Sequence, residues 1–282
     1  MVGIGPGDPV HLSARARQVL ERVDTVAGYT TYIDLIRPLI EEKRIIQTGM
    51  TREVDRVAAA LDEALAGKAC AIVSSGDPGI YAMAGLVFEM CQQREICVLR
   101  PFDPQTPEVQ PDGALGGKAQ ICLQLEVVPG IPALSAGAAL LGAPLTHDFA
   151  VISLSDLLTP WEKIEARLEA AARADFVMVL YNPKSKRRKD HLRRAQEIAL
   201  KYRDPQTPTG VVVAAMRPEQ SVNIVSLKEL HQAEVNMQTV VFIGSSASVR
   251  YLDFMVTPRG YAGKYDMATD PTGKETGKES GK

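Results

Sequence analysis

The sequence predicts an α/β protein of two domains with a cleft between them, the first sheet mostly parallel and the second mixed. Three observations carry that prediction. Short β-branched runs alternate with helically spaced apolar residues through the first half of the chain. Turns rich in glycine and proline follow several of those runs, where parallel sheets keep their ligand loops. The alternation then breaks at Gly142–His147, GAPLTH, and starts again.

In the first half, Met1–Ile4, Thr25–Ala27, Arg44–Gln47, Ala69–Ser74 and Leu123–Val128 read as strands. Between them Arg15–Val23, Thr51–Leu65 and Tyr81–Gln92 carry helical spacing, and regular strand–helix–strand succession implies parallel strands with both faces covered. After the break, strands are expected at Phe149–Ser153, Phe176–Leu180, Gly210–Ala215, Val222–Val225 and Thr239–Ile243. A capping box of Thr159, Pro160 and Glu162 is expected to open a helix at Trp161–Ala172, and a further helix is expected over Lys186–Tyr202. Because Val211–Ala215 and Val222–Val225 are joined by a short turn, the second sheet should be mixed. The expected domains are 1–144 and 145–262. Within the first, residues 100–117 (RPFDPQTPEVQPDGALGG) form an inserted surface loop, and residues 263–282 form a disordered tail without an apolar core of its own.

The chain has 282 residues, with Lys+Arg 32 against Asp+Glu 34, so its net charge of -2 generates no global attraction to nucleic acid or to an anionic membrane. No run approaches the roughly 20 apolar residues of a membrane span, and no signal segment precedes the first strand. The four cysteines, Cys70, Cys91, Cys97 and Cys122, lack Cys-x-x-Cys spacing and read as thiols of a cytoplasmic protein. No Cys/His cluster suggests a protein-bound metal.

The first candidate loop is Val2-Gly3-Ile4-Gly5-Pro6-Gly7-Asp8-Pro9. A dinucleotide fingerprint wants G-x-G-x-x-G opening into a helix, and a Walker loop wants Lys-Ser or Lys-Thr after its glycines. Neither is present: Pro6 and Pro9 stiffen the loop and Asp8 puts negative charge where a phosphate would sit, so a ligand loop and a structural tight turn both stay open. Ser75-Gly76-Asp77-Pro78-Gly79 repeats the design after a second strand, and Val128-Pro129-Gly130-Ile131-Pro132-Ala133 occupies the same position after a third. Carboxylates on rigid backbone suit a ligand with hydroxyls or an amine better than one with phosphates.

These motifs, together with Leu180-Tyr181-Asn182-Pro183, resemble the tetrapyrrole methylases, which use S-adenosylmethionine. Three further strings are similar to the branch of that family that methylates C17 of precorrin-3B in cobalamin biosynthesis. They are Gly49-Met50-Thr51-Arg52-Glu53, the run from His147 to Trp161 (HDFAVISLSDLLTPW), and Val256-Thr257-Pro258-Arg259-Gly260-Tyr261. The likeness runs from Val2 to Tyr261. It implies two αβα domains, usually in a homodimer, and methyl transfer that leaves S-adenosylhomocysteine. It also implies ring contraction to precorrin-4 from precorrin-3B or its cobalt form. Carried over by position, Pro6, Ser75, Gly76, Asp77, Ile80, Pro132 and Ala133 would contact the cofactor from the first domain, and Tyr181, Asn182, Ala214 and Ala215 from the second. Two departures stand out. Pro132 replaces a common Ser or Thr, and Val213-Ala214-Ala215-Met216-Arg217 stands for the family's Arg-Asn-Ala-Gly-Arg. A sister enzyme acting at another ring carbon, or a member that binds tetrapyrrole or cofactor without turnover, are the competing readings.

The strongest basic run, Lys184–Lys189 followed by Arg193-Arg194, reads as a solvated helix face, a nucleic-acid patch or an anionic small-molecule site. No aromatic residues interleave it to stack bases, which counts against nucleic acid. For the acetate and propionate groups of a tetrapyrrole, Arg52, Lys184, Arg187 and Arg188 are the expected partners. Asp156, with Asp8 behind it, is the acid/base candidate for proton transfers in ring contraction; turn capping is the alternative for both, and a hydrogen-bonding role is the alternative for His147.

Overall fold

The computed structural model describes residues 1–101, 114–115, 118–119, 122–265 and 267. Most of the expected insertion 100–117 and the tail from residue 268 therefore lie outside the described residues. The chain divides into two compact units. The first comprises Met1–Leu140 with Val212–Val222 and Val235–Val240; the second comprises Leu141–Val211, Asn223–Glu234 and Val241–Lys282.

In the first unit the strands are β1 (Val2–Gly3), β2 (Thr25–Tyr29), β3 (Arg44–Thr48) and β4 (Cys70–Ser74). They form one sheet in the order β1-β4-β2-β3, every pair parallel, as the alternation predicts. Helices α1 (Ala14–Arg22), α2 (Thr30–Ile36) and α3 (Glu53–Leu65) connect them, and α4 (Ala84–Gln93) follows β4. Neighbouring strand residues point to opposite faces, so Val26 and Val73 pack with Ala16, Leu20, Ile33 and Ile36 of α1 and α2. Ala27 and Ile72 pack with Val57, Leu61, Val87 and Cys91 of α3 and α4. Both faces of the sheet are thereby buried. Strand β5 (Cys97–Leu99), the short β6 (Ala114–Leu115) and β7 (Lys118–Ala119) and then β8 (Cys122–Gln124) follow, with β5 parallel to β8 and β6 antiparallel to β7.

After α5 (Ala133–Leu141) come β9 (Gly142–Ala143), β10 (Phe149–Ser153), α6 (Trp161–Arg173), β11 (Val177–Tyr181) and α7 (His191–Ala199). Strands β12 (Pro208–Val213), β13 (Ser221–Ser226) and β14 (Thr239–Ile243) complete a five-stranded sheet of order β10-β11-β14-β12-β13. It is mixed: β10 runs parallel to β11, and β11 antiparallel to β14. Strands β15 (Val249–Tyr251) and β16 (Phe254–Val256) pair with β9 in a small separate sheet that the sequence did not signal.

Several local expectations are corrected. The helix expected over Lys186–Tyr202 starts only at His191, because the Ser185 hydroxyl accepts the backbone N–H groups of Arg187 and Arg188 and holds a turn there. The Thr159 capping box does not form. Pro160, extended at φ -54 ψ 142, takes the cap position itself, and its carbonyl accepts from Lys163 and Ile164. The helix expected from Tyr81 begins at Ala84, since Tyr81 sits at φ 50. The strand expected over Leu123–Val128 is confined to Cys122–Gln124, with Val128 making a single bridge to Val2. Among the described residues no helix is long and apolar enough to cross a membrane.

Candidate functional site

The first unit gathers three glycine loops at the carboxyl ends of its parallel strands. Gly5 and Gly76 exchange both backbone hydrogen bonds, at 3.2 and 2.7 Å, which joins the loop after β1 to the loop after β4. The third loop closes on them. A Cβ at Gly130 would lie 2.1 Å from the Gly76 carbonyl oxygen, and one at Gly3 would lie 2.6 Å from the Gly130 nitrogen. The glycines are therefore required by backbone packed against backbone, without any phosphate. Asp77 ties the same loops: its Oδ1 accepts the Gly79 N–H at 2.8 Å and its Oδ2 accepts the Gly130 N–H at 3.1 Å. Asp8 caps the 3-10 turn at Pro9–His11 by accepting the Val10 N–H at 2.9 Å, the capping alternative the sequence left open.

Of the residues expected on the cofactor, Pro6, Ser75, Gly76, Asp77, Ile80, Pro132, Ala133, Ala214 and Ala215 all belong to the first unit. Two hydrogen bonds link the distant turn 214–217 to these loops. Arg217 donates from Nε to the Pro6 carbonyl at 2.5 Å and from Nη2 to the Ser75 hydroxyl at 2.9 Å. Its side chain also lies over Gly7, where a Cβ would come within 2.8 Å of Nε. Sequence reasoning gave Arg217 no role, although the arginine closing the turn motif was its only available signal. The turn that carries it holds Ala214 at φ 47 and Met216 at φ 57, a left-handed geometry costly for both residues. The family pattern has Asn and Gly at those two positions, and both tolerate it.

Tyr181, Asn182, Asp156, Lys184, Arg187 and Arg188 belong to the second unit. Asn182, at φ 54 beyond the end of β11, donates to the Ser153 hydroxyl at 2.9 Å. Ser153 also accepts the Ser155 N–H at 3.2 Å, and Arg188 Nη1 donates to the Ser155 hydroxyl at 3.3 Å. Lys184 and Arg187 are exposed. Arg52, in the first unit, is spent on an exposed ion pair with Asp55.

Asp156 has a partner that sequence reasoning missed. His191, the first residue of α7, brings Nε2 to 3.0 Å from Asp156 Oδ2. The His191 ring meets Trp161 of α6 edge-on at 4.7 Å between centroids, and the Arg194 guanidinium covers a Trp161 face at 4.2 Å. The Trp161 indole N–H and the His191 Nδ1 are buried without a hydrogen-bond partner among the described residues. Burial pushes the Asp156 carboxyl up, but His191, its own backbone amide and Arg188 outweigh that and hold it below the usual carboxylate range. At neutral pH Asp156 is a carboxylate, able to accept a proton rather than supply one. Beside it Leu157 and Leu158 are 71% and 92% exposed, an apolar pair on open surface.

Comparison with known proteins places this geometry. The profile of the tetrapyrrole (corrin/porphyrin) methylases matches residues 1–98 and 118–231, leaving out the stretch between. A cobalt-factor III methyltransferase of Priestia megaterium is 45% identical over 267 residues, covering 95% of this chain and 46% of that protein. A probable cobalt-factor III C(17)-methyltransferase of Salmonella typhimurium is 39% identical over 261 residues, covering 93% of this chain and 98% of that one. Among solved structures, the methyltransferase CobJ superposes with a TM-score of 0.76 at 34% identity, covering 91% of this chain and 98% of its own. The chain belongs to the tetrapyrrole (corrin/porphyrin) methylases.

Proposed function

We propose that the chain is an S-adenosylmethionine-dependent methyltransferase of cobalamin biosynthesis that methylates C17 of precorrin-3B or its cobalt form, with contraction of the ring. The observation that carries this reading is the full-length match, 39% identical over 98% of its length, to a protein named for that reaction on cobalt-factor III. The site chemistry suits the methyl donor. Its loops offer a hydroxyl on Ser75, a carboxylate on Asp77 and backbone groups, with exposed Ile131 and Tyr81 beside them for an apolar ring. No lysine or arginine lies within the three glycine loops, as a triphosphate or dinucleotide would want.

When bound, S-adenosylmethionine supplies a methyl group on a sulfonium. Pro6, Gly76, Ile80, Pro132 and Ala133 would hold it by close backbone approach, with Ser75 and Asp77 on its polar groups and Ala214 and Ala215 through their backbone. Transfer would move that positive charge from sulfur to the macrocycle, whose receiving carbon is electron-rich, so a strong base would not be needed to activate it. The residues contribute alignment and exclusion of water. Ring contraction moves protons, and Asp156 as a carboxylate beside His191 is suited to take one from a substrate hydroxyl. Asp8, engaged as a cap, is the secondary candidate for that role. In the second unit Lys184, Arg187 and Arg188 offer donors to the substrate's carboxylates and Leu157 and Leu158 suit the apolar face of a macrocycle, while Arg52 would have to exchange Asp55 for a substrate carboxylate.

We read the working form as a cytoplasmic homodimer that needs neither nucleic acid nor membrane; sedimentation equilibrium should return twice the chain mass, and a monomer would contradict this. Calorimetric titration with S-adenosylhomocysteine tests the central reading. Saturable one-site binding is expected, and an absence of heat across the millimolar range would overturn it.

A further inference from the structure

Two arginines of the first unit are withdrawn from water, Arg56 fully and Arg217 in part, yet neither lies within 4.0 Å of a carboxylate among the described residues. Arg56 of α3 is only 2% exposed. Its Nε donates to the Thr48 hydroxyl at 2.9 Å, its Nη2 to the Gly49 carbonyl at 3.2 Å, and its Nη1 faces the Met83 sulfur at 3.1 Å. Arg217 is half-buried and spends Nε and Nη2 on Pro6 and Ser75, which leaves Nη1 without a partner among the described residues. Every hydrogen-bond partner of the two cations among the described residues is neutral. Withdrawing a guanidinium from water is costly unless an anion compensates it, so two such cations against neutral acceptors leave a deficit of negative charge.

The strand order explains why they meet at one edge. Arg56 reaches the end of β3 at Thr48, Arg217 reaches the loop after β4 at Ser75, and β2 lies between those strands. At the end of β2 stands Tyr29, against which Tyr32 of the first turn of α2 packs edge to face at 5.2 Å between ring centroids. Burial raises the Tyr32 phenol above its ordinary value, opposed by Arg217 and Arg56, so it remains a neutral hydroxyl donor. Burial also lowers both guanidiniums from their ordinary value, Arg56 against Glu53 and the two tyrosines, Arg217 against Tyr32 and Glu219.

We propose that Arg217, with Tyr32 of α2 and Arg56 of α3 at the same edge of the sheet, forms a carboxylate-binding subsite of the first unit, the ligand's carboxylate supplying the missing negative charge. Arg217 is then a binding residue as well as the staple between loops. Its fork places two donors on protein and leaves an edge for the ligand, which a lysine offers only as a point charge. The inference rests on the methyl-transfer reading, in which two carboxylates are available: that of the donor's amino-acid moiety and those on the tetrapyrrole rim.

Titration of the wild-type chain, Arg217→Gln and Arg217→Lys with S-adenosylhomocysteine and with its methyl ester separates the two sources, alongside steady-state kinetics on the tetrapyrrole substrate. If the donor's carboxylate sits here, the wild type prefers free acid over ester by about tenfold, Arg217→Gln abolishes that preference, and Arg217→Lys keeps part of it. If a rim carboxylate sits here, acid and ester bind all three proteins alike, while Arg217→Gln raises the substrate KM by about tenfold with kcat little changed, and Arg217→Lys recovers part of the loss. A folded Arg217→Gln with unaltered ester preference and unaltered KM overturns the proposal. Should Arg217→Gln not fold, Tyr32→Phe serves: a two- to fivefold loss in either readout supports the subsite, and no change in both refutes it. A wild type that neither binds S-adenosylhomocysteine nor turns over sinks the methyl-transfer reading itself, whereas a competent wild type with indifferent variants sinks only the subsite.

Discussion

At the scale of single residues, the glycines of the three loops are spacing elements for backbone, and this sets the cost of replacing them. A methyl group at Gly130 would collide with the Gly76 carbonyl, which is backbone and cannot swing aside. Gly130→Ala should lower unfolding free energy by about 3 kcal/mol and abolish S-adenosylhomocysteine binding, measured by urea denaturation and calorimetry. The sequence made the loops legible as a repeated design, and Pro6 and Asp8 argued against phosphate. It did not show that the glycines exist for one another, because their contacts join residues from Gly3 to Gly130. Arg217 was hidden for the same reason, lying 211 positions from the carbonyl it holds. The turn that presents it is strained, since Met216 sits at φ 57. Met216→Gly should relieve about 1–2 kcal/mol of left-handed strain and forfeit roughly 0.5–1 kcal/mol to glycine's unfolded freedom, so thermal unfolding should rise slightly. A fall in the midpoint would show that the Met216 side chain contributes packing that outweighs the strain.

At the scale of elements, the strands were more legible than the helix starts. Strands β2, β3, β4, β10, β11 and β14 coincide closely with the β-branched runs; for β2, β4, β11 and β14 burial on both sides demands apolar residues nearly throughout, while β3 and β10 lie at sheet edges and are part exposed. The helix start at Trp161 was read correctly but not its cap, which Pro160 takes in place of Thr159, and the start at His191 was misjudged because a serine-centred turn redirects the backbone locally. The second error concealed a contact. Reading Lys186–Tyr202 as continuous helix put His191 in its interior, whereas as the first residue of α7 it meets Asp156 and Trp161. Asp156→Asn should lower kcat by about 10²–10⁴ while leaving S-adenosylhomocysteine affinity within twofold. Unchanged turnover would reduce Asp156 to a structural acceptor. The sign of its pH dependence follows from its depressed pKa. Whatever Asp156 contributes to stability is complete above the unfolded carboxylate value of about 3.9 and fades as pH falls through the lower folded value. Wild type and Asp156→Asn should therefore differ in unfolding midpoint by a constant amount from pH 5 to 8 and converge in stronger acid; a gap that opened near pH 6 would contradict the assignment.

At the scale of the whole molecule, the fold class was readable from alternation alone, and the parallel and mixed characters of the two sheets agree with it. The composition of the units was not readable. Residues Val212–Val222 and Val235–Val240 join the first unit although the chain has long since entered the second. That return brings Arg217 and the Ala214-Ala215 turn to the loops after β1 and β4, and no pattern of local hydrophobicity encodes such a crossing. The candidate site was legible where short motifs define it, at Pro6, Ser75–Asp77 and Pro132. It was illegible where long-range contacts do, at Arg217, Arg56, Tyr32 and His191. The account stands or falls on the transferred methyl group. Incubating the purified chain with precorrin-3B or cobalt-factor III and S-adenosylmethionine carrying a deuterated methyl group, followed by mass spectrometry of the tetrapyrrole, measures it directly. The expected product carries one labelled methyl group, at C17, with S-adenosylhomocysteine formed in equal amount. Unlabelled tetrapyrrole from both substrates, or label at another ring carbon, would contradict it.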